Sequence, residues 1–278
     1  MTTATAPVRR LGPADLEACL ELGADRDWPR EEHKWRLLFA VGQVYGIDDP
    51  RGGLAAVVVG TPYGDSVTAI SMMLVAREHE RRGLGRRVLG EALERTGTAS
   101  ALLTATPMGK PLYEAMGFRT VGQCATYGGT LTGVEPSGVS RPFTAADLPA
   151  VTDLDTEVFG APRTGLVAAL PGFTSALRVV DSPGGITAFG GAWPNTDTTV
   201  LGPVTAPDAD TGIALLCDLA AAAPGPVRVD VDHRQPRVLE WVEEHGLAHR
   251  FTTAIMVLGP DFPADPARSI TPVMLALG

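Results

Sequence analysis

The stretch EHERRGLGRRVLGEAL, residues 78–93, sets two glycines one residue apart inside a cluster of arginines and then turns helical. Within a helix, Gly83 and Gly85 would each cost about 0.5–1 kcal/mol relative to alanine. Between a strand and a helix, the same step makes a turn with a row of free backbone N–H groups. Such a nest binds anions, and the helix dipole adds about half a positive charge. Arg81, Arg82, Arg86 and Arg87 add full charges around it, which makes pyrophosphate the natural guest. The nucleotide fingerprints do not fit. A G-x-G-x-x-G needs a third glycine where Val88 stands, and no GxxxxGK[ST] occurs.

Regular elements must position this turn. Residues 8–11 read as a short strand, and Pro13-Ala14-Asp15-Leu16 opens a helix running to about Leu22. LAAVVVG (54–60) and VTAISMMLVA (67–76) read as strands joined across Tyr63-Gly64-Asp65-Ser66. The helix after Gly83 sets Leu84, Val88, Ala92 and Leu93 on one face. Residues 101–105 form a short apolar strand. Pro111 starts a helix through Ala115, where its missing N–H costs nothing, and Gly117 ends it.

The pattern occurs twice. RRLGPADLEACLELGAD (9–25) is echoed by SRPFTAADLPAVTDLDTE (140–157), with Asp15 and Asp147 at an offset of 132. LYEAMGF (112–118) is echoed by WVEEHGL (241–247), Gly117 over Gly246 at an offset of 129. LVAREHERRGLGRRVL lies opposite VTAPDADTGIALLCDL, Gly83 over Gly212, again at 129. Three anchors in one order at nearly one offset indicate a tandem duplication. The expected organisation is a first domain at 1–132, a linker at 133–139 within the polar Gly/Pro-containing stretch LTGVEPSG, and a second domain at 140–278. Each copy reads as mixed α/β.

Composition narrows the function classes. With 278 residues, 45% hydrophobic and 20% charged, the chain suits a soluble two-domain protein. A net charge of −9 without a basic stripe argues against nucleic acid. Cys19, Cys124 and Cys217 are isolated and read as buried thiols in a reducing compartment. The N-terminal stretch MTTATAPVRRLGPADLE lacks a signal-peptide core, and no apolar run is long enough to span a bilayer, so a cytoplasmic protein without membrane attachment is expected. His245 and His249 have helical metal-ligand spacing but no evident third ligand, so no metal site is expected. His33, His79 and His233 read as surface residues.

VAREHERRGLGRRVL resembles the acetyl-CoA signature V-x-P-x-x-[QR]-x-x-G-x-[GA] of the GNAT (GCN5-related N-acetyltransferase) superfamily. LLTATPMGKPLYEAMGF (102–118) resembles the segment that follows it, ending in LY-x-x-x-GF. The first half matches well and the second weakly, as in bacterial tandem-GNAT proteins whose second domain is degenerate. The resemblance implies two tandem α/β (α+β) folds, each a mostly antiparallel mixed sheet flanked by helices, with acetyl-CoA as co-substrate. Met73, Leu74 and Val75 would end the strand that pairs with the pantetheine arm. Amides from Arg81, Arg82, Gly83, Leu84, Gly85 and Arg86 would cradle the pyrophosphate. Strands 67–76 and 101–105 would splay into a V-shaped slot, and Tyr113 would protonate the departing thiolate. Trp28, Glu31, Glu32 and Trp35, from DWPREEHKW, fall where such proteins often build the acceptor site; an amphipathic helix explains them equally. The implied reaction is acetyl transfer to a primary amine of a small molecule or peptide, by direct attack in a ternary complex. A homodimer is compatible. The competing classes are a non-catalytic acyl-CoA sensor or interaction module, and other acyl-CoA chemistry on the same scaffold.

Two positions depart from the signature. Arg77 replaces the usual proline, and Glu80 stands at the usual Gln or Arg, either repelling a phosphate or pairing with Arg81 or Arg82. In the second copy, APDADTGIA keeps Gly212 but has Ala214 at the next glycine position, and sets Asp208 and Asp210 where phosphate would sit. Val242 replaces the tyrosine. This half is expected not to bind CoA productively, and instead to cover the acceptor cleft or form an assembly surface. The tail SITPVMLALG is apolar enough to pack as a strand and reach the first half.

Overall fold

One central strand organises the first half: every residue of AAVVV (55–59) is without solvent contact, so the strand must be covered on both faces. The computed structural model describes residues 6–223 and 225–278, and the first five residues of the N-terminal stretch lie outside the described residues. The first half runs β1 (Arg9–Leu11), α1 (Leu16–Asp25), α2 (Glu32–Val41), β2 (Gln43–Asp48), β3 (Leu54–Tyr63), β4 (Val67–Val75), α3 (Leu84–Thr96), β5 (Ser100–Ala105), α4 (Lys110–Glu114) and β6 (Arg119–Gly129). The second half repeats it: β7 (Arg141–Pro142), α5 (Leu148–Phe159), α6 (Thr164–Phe173), β8 (Ala176–Ser182), β9 (Gly185–Pro194), β10 (Thr199–Thr205), α7 (Ala209–Ala221), β11 (Val227–Asp232), α8 (Pro236–Glu244) and β12 (Ala248–Leu258), followed by the short β13 (Ser269–Thr271).

The repeat is visible in matched ion-pair triads. Arg9 bridges Asp15 and Asp48 at 2.7 and 2.8 Å, and Arg141 bridges Asp147 and Asp181 at 2.7 and 2.6 Å. In each case a first-strand arginine ties the start of the following helix to a later strand. The Arg141 guanidinium, and then the Thr144 amide and hydroxyl, hold the Asp147 carboxyl well below its usual range.

All strands join one mixed, mostly antiparallel sheet in the order β1-β2-β3-β4-β5-β12-β6-β11-β10-β9-β8-β7, with β13 added against β10. The last strands of the two halves are exchanged. β12 lies beside β5 and completes the first half, whereas β6 lies beside β11 and completes the second. The two exchanged strands pair with each other from Ala248↔Gly128 to Val257↔Arg119. Neither half therefore closes its sheet without the other.

On α3 the stripe facing β3 is Leu84, Val88, Leu89 and Ala92, while Leu93, expected on that face, is only half-buried. Leu89 displaces it because residues 85, 88, 89 and 92 share one helical ridge. The connection from residue 130 to 140 carries no regular element, and Asp218 of α7 docks it by accepting from the Gly138 and Ser140 amides at 2.8 and 3.0 Å. The tail reaches the first half, as expected. Tyr63 donates to the Leu277 carbonyl at 2.8 Å and Thr104 to that of Leu275 at 2.9 Å.

Candidate active site

β4 and β5 run parallel from Val67↔Ser100 to Ile70↔Leu103, and then pairing stops. A bulge causes the separation. β4 gains one residue on β3 between Leu74↔Val57 and Ser71↔Val59, with Met72 held at a φ of +47°. Bulges bend a strand away from its neighbour, and a non-glycine residue in this conformation signals local strain. The edge of β4 carrying Met73, Leu74 and Val75 is thus left without a strand partner on the β5 side. Met73 and Val75 pack towards α3, whereas Met72 and Leu74 pack towards α1 and α2. The slot therefore opens on both faces of the sheet.

At its mouth the chain makes a turn that enters α3. Arg81 and Gly83 adopt left-handed φ values of +59° and +77°. None of the backbone N–H groups of Arg81, Arg82, Gly83, Leu84, Gly85 and Arg86 donates a hydrogen bond within the described residues. Such a row of unpaired amides at a helix N-terminus fits a pyrophosphate. The two glycines serve different ends. A Cβ on Gly83 would meet nothing within 4 Å, so its glycine answers the positive φ. A Cβ on Gly85 would lie 3.2 Å from Leu112 and 3.4 Å from the Met73 sulfur, so its glycine permits close packing of α3 on β4 and α4.

The turn is anchored from below. His79 is buried, not a surface residue, and its Nε2 lies 2.7 Å from the Asp49 carboxylate. Burial alone would raise the Asp49 pKa, but the Arg51 amide, His79 and the Arg51 guanidinium together hold it down at about 2. Arg82 reaches the other ring nitrogen of His79 at 3.4 Å. Asp49, Glu78 and His79 place ligand atoms within 4.8 Å of one another, but Arg51 already pairs with both carboxylates, so the cluster reads as an ion-pair anchor. Glu80 pairs with neither Arg81 nor Arg82. Its partner is Arg26, at the end of α1. Arg77 likewise reaches back, its amide donating to Asp25 at 2.8 Å and its guanidinium to Asp27. The two departures from the signature thus tie the turn to the α1–α2 connection.

Tyr113 sits on α4 in the apolar cluster that includes Leu84 and Ala105, its ring 5.8 Å from that of Phe118. It is buried, its hydroxyl has no hydrogen-bond partner within the described residues, and burial pushes it up to about 12. It remains protonated at neutral pH.

On the α1–α2 face the slot opens into a cavity of about 430 Å³. Ser71, Met72, Thr104 and Thr106 bring it to the splayed strands. Trp28 lines it, while Glu32 is exposed and pairs with Arg36 one turn on, away from the cavity. Glu31 lines it instead: it is 7% exposed, bound by Lys34 and, at 3.1 Å, by Asn195 of the second half. Trp35 is wholly buried in the core. Burial pushes the Lys34 ammonium down against the opposing pull of Glu31. The remaining wall comes from the second half: Trp193, Arg228, Phe251, Thr253 and the tail at 274–276. His33 is half-buried at the same junction, stacked 4.4 Å from Phe173 and bonded to its carbonyl. Nothing local in the sequence marks Phe251, which arrives on the exchanged strand β12, or Arg228, which lies on β11 beside the exchanged strand β6.

The second half has the same slot, filled by its own chain. β10 and β11 pair only at Thr199↔Val227 and Val200↔Arg228, and a bulge at Gly202–Pro203 follows. β13 occupies the opening, pairing with Val204 and Thr205, and the Ala206 amide donates to the Arg268 carbonyl at 3.0 Å. Ile270, fully buried, presses on α7 where a Cβ on Gly212 would be 2.7 Å away. The helix N-terminus also carries its own cap. Asp208 caps α7 by accepting from the Thr211 amide at 2.7 Å. The cap position equivalent to Gly83 is therefore Asp208, and Gly212 lies one turn inside the helix rather than opposite Gly83. His245 and His249 do not share a helix: His245 ends α8 and His249 lies on β12.

Two family models match the chain, both described as an acetyltransferase (GNAT) domain, one over residues 54–130 and the other over 151–270. The chain belongs to the GNAT acetyltransferase superfamily, as a tandem protein. It is an N-acetyltransferase by that membership. A relative from Bacillus subtilis, "Uncharacterized N-acetyltransferase YitH", is 26% identical over 80% of each chain. A Pyrococcus horikoshii structure described as a "Putative Acetyltransferase" superposes with a TM-score of 0.83 at 17% identity, covering 98% of this chain and 95% of that one. A tandem GNAT protein from the clavulanic acid biosynthesis pathway matches at 0.63 and 13% identity, over 92% and 99%. At these identities the structural likenesses establish the tandem GNAT fold. No described helix is long and apolar enough to cross a membrane.

Proposed function

We propose that this tandem GNAT protein transfers an acetyl group from acetyl-CoA to a primary amine of a small molecule or peptide, using the slot of its first half alone. The observation that carries the reading is the contrast between the two slots. The first is open, with a row of undonated amides at its mouth; the second holds β13 and a self-capped helix.

In this reading the amides of Arg81 to Arg86 and the α3 dipole hold the pyrophosphate, and the free edge at Met73, Leu74 and Val75 receives the pantetheine arm. Acetyl-CoA supplies the activated acyl carbon as a thioester. The cavity on the opposite face presents the acceptor, so attack is direct and needs no acyl-enzyme. Tyr113, kept protonated by burial, is the proton donor to the leaving sulfur. A sensor that bound cofactor without turnover would need no acceptor cavity, and the cavity that meets the splayed strands favours catalysis. An amine library incubated with acetyl-CoA, read by release of free thiol, tests the reading. Thiol release that depends on an added amine supports it, whereas cofactor binding without release for any amine would favour the sensor.

A further inference from the structure

We infer that the acceptor is an apolar or aromatic primary amine carrying a distant anionic group, which Arg228 binds. This rests on the transferase reading above. The charged side chains on the cavity wall are Lys34, Glu31 and Arg228, the last paired with the Asp230 carboxylate. Lys34 and Glu31 satisfy each other. Arg228 is different: its Nε and Nη2 bind Asp230, each at 3.0 Å, while its Nη1 has no partner within the described residues. Asp230 is 2% exposed and further held by the Thr126 hydroxyl, so the guanidinium is fixed in place with one edge left over. A preorganised guanidinium with a spare donor edge selects carboxylate or phosphate.

Position sets the spacing. Sheet order runs from β5, at the splayed end, through β12 and β6 to β11, which carries Arg228. Three strand spacings are about 14 Å. The guanidinium lies 5.7 Å from the ring centre of Phe251 on β12, so it leans back towards the slot. The anion and the attacking nitrogen are thus several bonds apart, farther than in an α-amino acid. Trp28 and Phe251 supply flat apolar walls on the slot side of Arg228, with Trp193 two strands beyond it, a lining suited to a ring or alkyl spacer.

The matched probes are 4-(aminomethyl)benzoate and 4-methylbenzylamine, which differ only in the distal carboxylate. With acetyl-CoA present, kcat/KM for the acid should exceed that for the methyl compound by about 10- to 100-fold, the range of a hydrogen bond to a charged group. Arg228→Gln should bring that ratio close to one through KM. Because Asp230 would lose its partner, Arg228→Gln/Asp230→Asn provides a second variant without a stranded charge, and it should show the same collapse. Binding read from the fluorescence of Trp28 and Trp193 in the presence of CoA separates the two readings. Selective binding of the acid without turnover would retain the anion site and refute the transferase reading. Equal handling of both probes by the parent protein, or an unchanged ratio in both variants, would overturn the inference.

Discussion

Replacing Tyr113 with phenylalanine removes one hydroxyl and leaves the ring against Phe118. That hydroxyl has no hydrogen-bond partner within the described residues, so nothing is orphaned by its loss. The fold should change in stability by less than about 1 kcal/mol. If the phenol protonates the leaving sulfur, turnover should fall about 10²–10⁴-fold, equivalent to about 2.7–5.5 kcal/mol in the barrier. Acetyl-CoA affinity should stay within about threefold, because the hydroxyl contributes to the leaving group and not to pyrophosphate binding. Burial raises this phenol to about 12, so its protonated form persists through neutral and moderately alkaline pH. The parent enzyme should accordingly show no alkaline loss of rate near the ordinary tyrosine value. The assay is single-turnover thiol release alongside a thermal melt. Turnover of the variant within twofold of the parent would remove Tyr113 from the mechanism, as would a loss matched by a large fall in Tm.

Three further outcomes follow from the same contacts. Ile270→Ala should destabilise the protein by about 2–5 kcal/mol in denaturant titration, the range for emptying a fully buried site, without creating a second cofactor site. Gly83→Ala should cost about 1–2 kcal/mol through its left-handed φ while its Cβ meets no neighbour. Stability should also decline in acid through Asp49. Its folded pKa of about 2 lies below the usual 3.8, so its contribution is fully present above 3.8 and lost as pH falls towards 2. Solvent screening of its exposed partner Arg51 leaves that contribution at about 1–2 kcal/mol. Asp49→Asn should abolish that portion of the acid limb, as read by melts from pH 5 to 2.

The elements and the duplication are legible because their signals are local. The turn residues 63–66, the glycines at 83 and 117 and the paired Asp15 and Asp147 each act within one turn or strand end. The exchange of β6 and β12 has no such signal. Nothing local in either strand names its neighbour, and only the assembled sheet fixes it. The same limit hides the far wall of the cavity, since Trp193, Arg228 and Phe251 come from three distant strands. His79 reads as exposed because its sequence neighbours Glu78 and Glu80 are, while its contact with Asp49 in the β2–β3 turn, 30 positions away, goes with its burial. Glu80 is legible as a charge near the phosphate turn, but its partner Arg26 lies 54 positions away. The acidic loop of the second half suggests a poor phosphate site, yet gives no sign that β13 fills the slot.

The central claim is that one slot of two is a cofactor site, and calorimetric titration with acetyl-CoA tests it most directly. The chain should bind one molar equivalent. Gly83→Asp, which introduces a carboxylate into open space at the phosphate turn, should bind none at the same concentrations while retaining a cooperative melt. Two equivalents in the parent, or one equivalent retained by the folded variant, would contradict the account.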